Sequence, residues 1–200
     1  HQTIIKGVSN LIKKSSFVGG KEISDFEDSF AKFTNAKYCI GVGNGTDALE
    51  IAIEALNLKK GSEVIVPANT WISTAEAVTR HGLKVVFCDI SLDNYTIDIK
   101  DLENKICNKT SAIMVVHLYG YPANLEKIKQ IIKNKKIKII EDCAQAHGTK
   151  IKNEHVGNFG DIGTFSFFPG KNLGTYGDAG GIITNDKALN KKCRLIRNHG

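Results

Sequence analysis

Long apolar runs, paired cysteines and an excess of acid are missing from this 200-residue chain and prolines are few, and each of these narrows what it can be. No apolar run approaches the roughly 18 to 20 residues needed to span a bilayer, and the N-terminus has no apolar core of a signal peptide. No membrane association is expected, and a cytoplasmic location is. The five cysteines, Cys39, Cys88, Cys107, Cys143 and Cys193, are odd in number, widely spaced and never arranged as C-x-x-C. That pattern supports neither a disulfide framework nor a zinc knuckle, and no metal site is expected. With three prolines, 42% hydrophobic and 24% charged residues, the chain is unlike disordered or linker sequences and long enough to bury its own core.

Basic residues outnumber acidic ones, 27 to 21, for a net charge of +6. The lysines are densest from Lys127 to Lys138, where they alternate with the isoleucines of an amphipathic segment. No aromatic side chains interleave there for base stacking, so a solvated helix face is expected rather than a nucleic-acid surface. The chain opens on His1 and closes on Arg197-Asn198-His199-Gly200, where a helical pattern is ending, and it reads as a piece of a longer one.

Periodicity alternates between helical and strand patterns every 20 to 30 residues or so, the mark of a mainly parallel α/β sheet. An N-terminal helical segment places Ile23, Phe26, Phe30 and Phe33 on one face, with Ser24 and Glu27 as a candidate capping box. A strand around 37–42, the turn Gly43-Asn44-Gly45 and a helix burying Leu49, Ala52, Ile53 and Leu56 follow, with Glu50 and Glu54 outward. Strands are then expected at 63–66, 84–89, 112–117 and 137–141, separated by helices at 73–81, 99–106 and 125–133. Beyond Asp142 the pattern changes to a hairpin at 149–158, strands at 164–168 and 181–184 around a glycine-rich loop, and a helix at 187–197. Ligands of open parallel sheets bind beyond the carboxyl ends of the strands, so the loops at Gly43, Pro67, His117 and Asp142 are expected to converge.

Five features carry chemistry, and each alone has a plain structural alternative. Asp142 ends an apolar strand, with Gln145 three residues on. A carboxylate there would pair well with a protonated pyridine nitrogen, or merely cap a loop. Lys171 sits in TFSFFPGKNLGTYGDAGG among glycines. Apolar walls and nearby positive charge can keep such an amine neutral and nucleophilic; the alternative is an exposed turn. In GVGNGTDAL, Gly45 and Thr46 open a helix whose free amides favour phosphate, although the G-x-G-x-G spacing is a poor dinucleotide fingerprint. Trp71, the only tryptophan, lies past a strand end in PANTWIST, where it could cover a planar ring or serve as a core residue. Ser166 is a further phosphate-ligand candidate on an otherwise ordinary strand. His117, His147 and His199 read as structural hydrogen-bonding residues.

Taken together, GVGNGTDAL, VIVPANTWISTAEAV, VVFCDI, VVHLYGYPAN, IIEDCAQAHG and GDIGTFSFFPGKNLGTYGDAGGIITND resemble the DegT/DnrJ/EryC1/StrS sugar aminotransferases over nearly the whole chain. The resemblance implies the fold type I (aspartate-aminotransferase-like) scaffold, with residues 1–200 as the large domain that binds pyridoxal 5'-phosphate (PLP) and the small C-terminal domain outside this chain. It implies Lys171 as the Schiff-base lysine, Asp142 as partner of the pyridine nitrogen and Gln145 as ligand of the phenolic oxygen. Trp71 becomes the stacking aromatic, and Gly45, Thr46 and Ser166 the phosphate ligands. The implied activity is transamination of a nucleotide-linked keto-deoxy sugar with glutamate as amino donor, in a homodimer that shares its cofactor sites. Lys171 argues against the family's dehydrating members, which replace it, commonly with histidine. The run DCAQAHG looks more like the 3-aminating members, which makes a dTDP-3-keto-6-deoxyhexose the leading substrate expectation. A 4-keto sugar, a non-catalytic PLP- or nucleotide-binding module and a dinucleotide oxidoreductase remain the alternatives.

Overall fold

Strand residues that alternate between two apolar faces build the centre of the molecule. In the computed structural model, which describes residues 1–199, strand β4 (Thr110–Val116) sends Ala112 and Met114 into one core cluster and Ile113 and Val115 into another. The chain begins with helices α1 (Gln2–Lys13) and α2 (Lys21–Thr34), then β1 (Tyr38–Val42) and α3 (Gly45–Leu56). Next come β2 (Glu63–Pro67), α4 (Ile72–Arg80), β3 (Lys84–Cys88) and α5 (Ile99–Lys105). After β4 and a single 3-10 turn, Leu118–Gly120, follow α6 (Leu125–Ile132) and β5 (Lys138–Asp142). A small hairpin, β6 (Lys150–Ile151) and β7 (Glu154–His155), leads to β8 (Ile162–Ser166), β9 (Gly180–Thr184) and α7 (Lys187–Arg197).

Seven strands form one sheet in the order β1-β9-β8-β5-β4-β2-β3. From β8 to β3 all neighbours are parallel, whereas β9 runs antiparallel to both β8 and β1. The mainly parallel mixed α/β sheet expected from the sequence is what the chain forms. Helices α3, α4 and α7 cover one face through Ala52, Ile53, Val78 and Cys193, and α5 and α6 cover the other through Leu102 and Ile128. A third cluster packs Phe30 of α2 against Phe165 and Phe167. Local chemistry starts the helices: Asn44, Asp98, Asn124 and Asp186 each accept a hydrogen bond from a first-turn amide of the helix they precede. Four of the five cysteines are buried and none is bonded to another.

Two expectations need correction. Ser24 and Glu27 are not a capping box, because α2 already starts at Lys21 behind Gly20, whose φ of 96° ends the preceding loop. Glu27 instead lies mid-helix and buried. One of its oxygens accepts from the Gly41 amide (2.9 Å) and from Arg197 Nη1 (2.6 Å), and the other accepts from Arg194 Nη1 (2.8 Å). Arg194 Nη2 also donates to the Cys39 carbonyl and Arg197 Nη1 to that of Gly41. These are outward groups of the edge strand β1, so the clasp covers an edge that would otherwise invite pairing with another chain. Glu50, expected to face outward, is half-buried and lies 3.0 Å from Arg80, because α4 packs along α3 there.

The clasp yields a stability prediction. Glu27→Ala should lower unfolding free energy by about 2 to 3 kcal/mol, since it strands the Gly41 amide and two guanidinium groups that keep only part of their solvent. Urea denaturation measures this; a midpoint within error of the parent would show the clasp to be incidental.

Candidate active site

A cavity of about 810 Å³ opens beyond the carboxyl ends of the parallel strands. Thr70 and Trp71 after β2, Val116 and Leu118 around the end of β4, Asp142 at the end of β5 and Ser166 at the end of β8 all line it. The turn from β1 into α3 and the loop carrying Lys171 close it from the other side. The site includes the point where the strand order reverses, between β2 and β4, and extends from there across β5 to the end of β8. Of the seven residues singled out in the sequence, Gly45, Thr46, Trp71, Asp142, Gln145, Ser166 and Lys171, every one lines this cavity.

Its anionic end is built from backbone. Asn44 caps α3 by accepting from the Asp47 amide (2.8 Å), and its carbonyl accepts from Ala48, which leaves the Gly45 and Thr46 amides of the first turn without an acceptor among the described residues. Thr46 Oγ1 lies 2.8 Å from Ser73 Oγ in the first turn of α4, so two helix N-termini face one spot. Close approach requires glycine: a Cβ on Gly45 would lie 2.7 Å from Ser166 Cβ, and one on Gly180 would lie 2.1 Å from the Asn44 carbonyl oxygen. The cradle suits a phosphate through free amides, hydroxyls and the positive ends of two helix dipoles.

Asp142 occupies the other end and is 6% exposed. Its Oδ2 accepts from Thr74 Oγ1 (2.9 Å) and its Oδ1 from the Ala144 amide (3.1 Å). Burial raises its pKa above the ordinary carboxylate value, opposed by those two hydrogen bonds and by the positive charge of Lys171. A buried carboxylate in this position is suited to a cationic ring nitrogen. Between the two ends, Trp71 is 71% exposed at the N-cap of α4, with its ring available to cover a planar ligand. Gln145 Oε1 accepts from the Tyr119 amide (2.8 Å), which commits the carbonyl end of the side chain and leaves its NH2 as the free donor. An anion cradle, an exposed aromatic, an amide donor, a buried acid and a primary amine line one cavity, and together they fit the phosphate, ring, phenolic oxygen, ring nitrogen and aldehyde of PLP.

His117 does not join the cavity. Its Nδ1 accepts from the Ala123 amide (3.1 Å), so the proton sits on Nε2, which faces Glu141 Oε2 (3.0 Å). The Gly157 amide also donates to that oxygen (2.7 Å), and the Gly160 amide donates to the other. His117, Glu141 and Cys143 lie close enough for a metal site, but these hydrogen bonds occupy the imidazole and the carboxylate. Burial also pushes the Cys143 thiol well above its usual range. His117 thus has the structural role read from the sequence. His147 is packed against Phe165 and Phe167, and burial pulls its pKa down to about 4, opposed by the Ser166 backbone and the Asn172 side chain. Thr74, Ser73 and Asn44 escaped the sequence reading; only the Ser and Thr clustering just past β2 could have pointed to the first two.

Curated proteins match the chain in sequence and solved structures match it in fold over nearly its whole length. A UDP-N-acetyl-3-dehydro-alpha-D-glucosamine 3-aminotransferase from Acidithiobacillus ferrooxidans is 43% identical over 197 residues, covering 98% of this chain and 53% of that protein. A dTDP-3-amino-3,6-dideoxy-alpha-D-galactopyranose transaminase from Aneurinibacillus thermoaerophilus is 45% identical over 197 residues, 98% of this chain and 54% of that protein. The structure of the E. coli GDP-4-keto-6-deoxy-D-mannose-3-dehydratase with bound hydrated PLP superposes with a TM-score of 0.93 at 34% identity, covering 98% of this chain and 52% of that one. The chain therefore spans about half the length of the curated relatives it matches. The model of the DegT/DnrJ/EryC1/StrS aminotransferase family matches residues 1–200, and the chain belongs to that family.

Proposed function

We propose that this chain is the PLP-binding large domain of a nucleotide-sugar aminotransferase that takes its amino group from glutamate and transfers it to a keto-deoxy sugar. The observation that carries the reading is Asp142: a buried carboxylate with its pKa raised by burial, lining the same cavity as Lys171 and the amide cradle of α3. PLP supplies an aldehyde that condenses with amines and a protonated ring that draws electrons from the adjacent carbon. Asp142 holds the proton on the ring nitrogen, Gly45, Thr46 and Ser166 bind the phosphate, Trp71 covers the ring and Gln145 donates to the phenolic oxygen. Lys171 would anchor the aldehyde carbon, and its free Nζ would carry the proton between the donor's α-carbon and the cofactor. General-base work of this kind contributes roughly 10² to 10⁴ in rate.

Lys171→Ala in the full-length enzyme should abolish turnover and the yellow absorbance of lysine-bound cofactor without unfolding the protein, because the loop contributes little core. Asp142→Asn should retain some cofactor and lose proton abstraction by about 10²-fold or more. Full activity in Lys171→Ala, or an Asp142→Asn enzyme matching the parent in both half-reactions, refutes these assignments. A colourless parent that binds no PLP would favour the non-catalytic module.

We also expect a homodimer, since the phosphate cradle is built of amides and hydroxyls while Arg80, the cation on that side of the cavity, is paired with Glu50 and Glu76, and a neighbouring subunit can complete it. Sedimentation of the full-length protein tests this; a monomer turning over at full rate contradicts a shared site.

For the sugar, we infer amination at C3 of a dTDP-linked 3-keto-6-deoxyhexose. Gln145 at the phenolic-oxygen position favours it, and of the relatives above one is named a 3-aminotransferase and one carries a 3-amino sugar in its name. Separate incubation with dTDP-linked 3-keto and 4-keto 6-deoxyhexoses, with NMR to locate the new amine, decides. Amination of the 4-keto sugar alone overturns the C3 choice and leaves transamination standing.

A further inference from the structure

Two tyrosines meet beside a recess that shares Gln145, Gly170 and Lys171 with the cavity, each in a backbone conformation that bulky residues rarely adopt. Tyr95 has φ 59° and Tyr119 has φ 56°. Left-handed backbone is ordinary at Asn35 and Asn57, which end α2 and α3, but for an aromatic side chain it is strained. The tyrosines belong to different loops, after β3 and after β4, yet their rings meet edge to face with centroids 6.4 Å apart. Burial does not offset the strain, since Tyr95 is 49% exposed and Tyr119 72%.

Each loop fixes its tyrosine from several sides. The Tyr95 amide donates to the Ser91 carbonyl (2.8 Å), the Ser91 amide to the Thr96 carbonyl (2.9 Å), and Asn94 Oδ1 accepts from both the amide and the hydroxyl of Thr96. The Tyr119 amide is held by Gln145 Oε1, and the next residue, Gly120, has φ 80° and accepts at its carbonyl from Thr149 Oγ1 (2.9 Å). Strained residues persist where the surroundings over-determine them, and they concentrate at ligand sites. Tyr119 also lines a second recess of about 340 Å³ with Gln145, Gly170, Lys171 and Asn172.

We propose that Tyr119, braced by Tyr95, is the sugar-facing wall of the site: its ring lies against the C–H face of the keto hexose while the carbonyl carbon is presented to the reacting nitrogen beside Lys171. The inference rests on the aminotransferase reading and names the part of the substrate that this rim selects. A recess walled by an aromatic ring and two amides, with Lys171 as its only charged side chain, suits a neutral polyhydroxylated ring. It does not suit glutamate, whose two carboxylates call for cationic partners. Tyr119 is a binding residue here, and Tyr95 a positioning residue that acts through it.

The test uses full-length holoenzyme and separates the two half-reactions. Tyr119→Gly and Tyr119→Ala should raise KM for the keto sugar nucleotide by about tenfold, the upper range for an aromatic contact, with KM for glutamate and the cofactor absorbance unchanged. Tyr119→Phe should keep most of the parent's affinity. Tyr95→Ala should raise the sugar KM in the same direction by less, and Tyr95→Phe should restore it. Because glycine relieves the left-handed strain, Tyr119→Gly should melt no lower than the parent; a purely structural tyrosine would give a lower melting temperature at unchanged KM. An unchanged sugar KM in Tyr119→Gly, or equal loss toward glutamate and sugar, overturns the inference while an active parent leaves the aminotransferase reading in place.

Discussion

Two adjacent buried carboxylates at the end of β5 set what the surrounding structure has to supply. Strand alternation turns Glu141 and Asp142 to opposite faces of the sheet, and an ionised carboxylate removed from water costs several kcal/mol unless it is hydrogen-bonded. Glu141, fully buried, is met by the His117 ring and by the amides of Gly157 and Gly160. This need accounts for the glycines of the segment after the hairpin. A Cβ on Gly160 would lie 2.7 Å from the Ile139 carbonyl oxygen, and one on Gly163 would lie 2.6 Å from Gly157 Cα. Backbone can reach the Glu141 carboxylate there only because no side chain intervenes. Asp142 receives just two donors, Thr74 and Ala144, and its carboxylate lines the cavity.

The antiparallel return of β9 serves the same cavity. Ser166 ends β8 beside the α3 cradle, Gly180 begins β9 against the Asn44 carbonyl, and the connection between them carries Lys171. That loop is tied at its base. The Phe167 amide donates to the Ala179 carbonyl (2.7 Å), and the Phe167 carbonyl accepts from the amide and the hydroxyl of Thr175 (both 2.8 Å). An exposed loop held in this way delivers a lysine to a defined place without a helix beneath it, which is why its sequence is rich in glycine rather than in helix formers. Substitutions at Gly45 or Gly180 would therefore disturb the phosphate cradle and the lysine loop together.

Much of this was legible from the residues because the strands are short, apolar and bounded by turn chemistry, so that period and caps agree. The alternation of β2 to β5 with α4 to α6 could be read within a few residues, and the convergence of Asp142, Gln145 and Lys171 follows from strand ends. What could not be read was long-range. Glu27 had the spacing of a capping box, and nothing local showed that Arg194 and Arg197 would reach it across the edge of the sheet. The direction of β9 was equally hidden, since Gly-Gly-Ile-Ile-Thr fits a parallel or an antiparallel neighbour. Thr74 looked like one more helix residue until α4 was seen to aim it at Asp142.

Stability and function pull in opposite directions around the cavity, and Asp142 shows how. A carboxyl whose folded pKa lies above its unfolded value favours the folded chain while protonated, and that contribution is lost as pH rises through the folded pKa. Once ionised, Asp142 with two neutral donors is thus a cost to the fold. A cationic ring nitrogen beside it removes that cost, so a ligand that carries one binds the folded chain and stabilises it by mass action. The left-handed backbone of Tyr119, beside Gln145 and Lys171, is a cost of the same kind on the ligand side of the molecule. Glu141, one residue away on the opposite face, is satisfied by the protein alone. The unmet needs mark the side on which the chemistry takes place, because only there does a bound molecule remain to satisfy them.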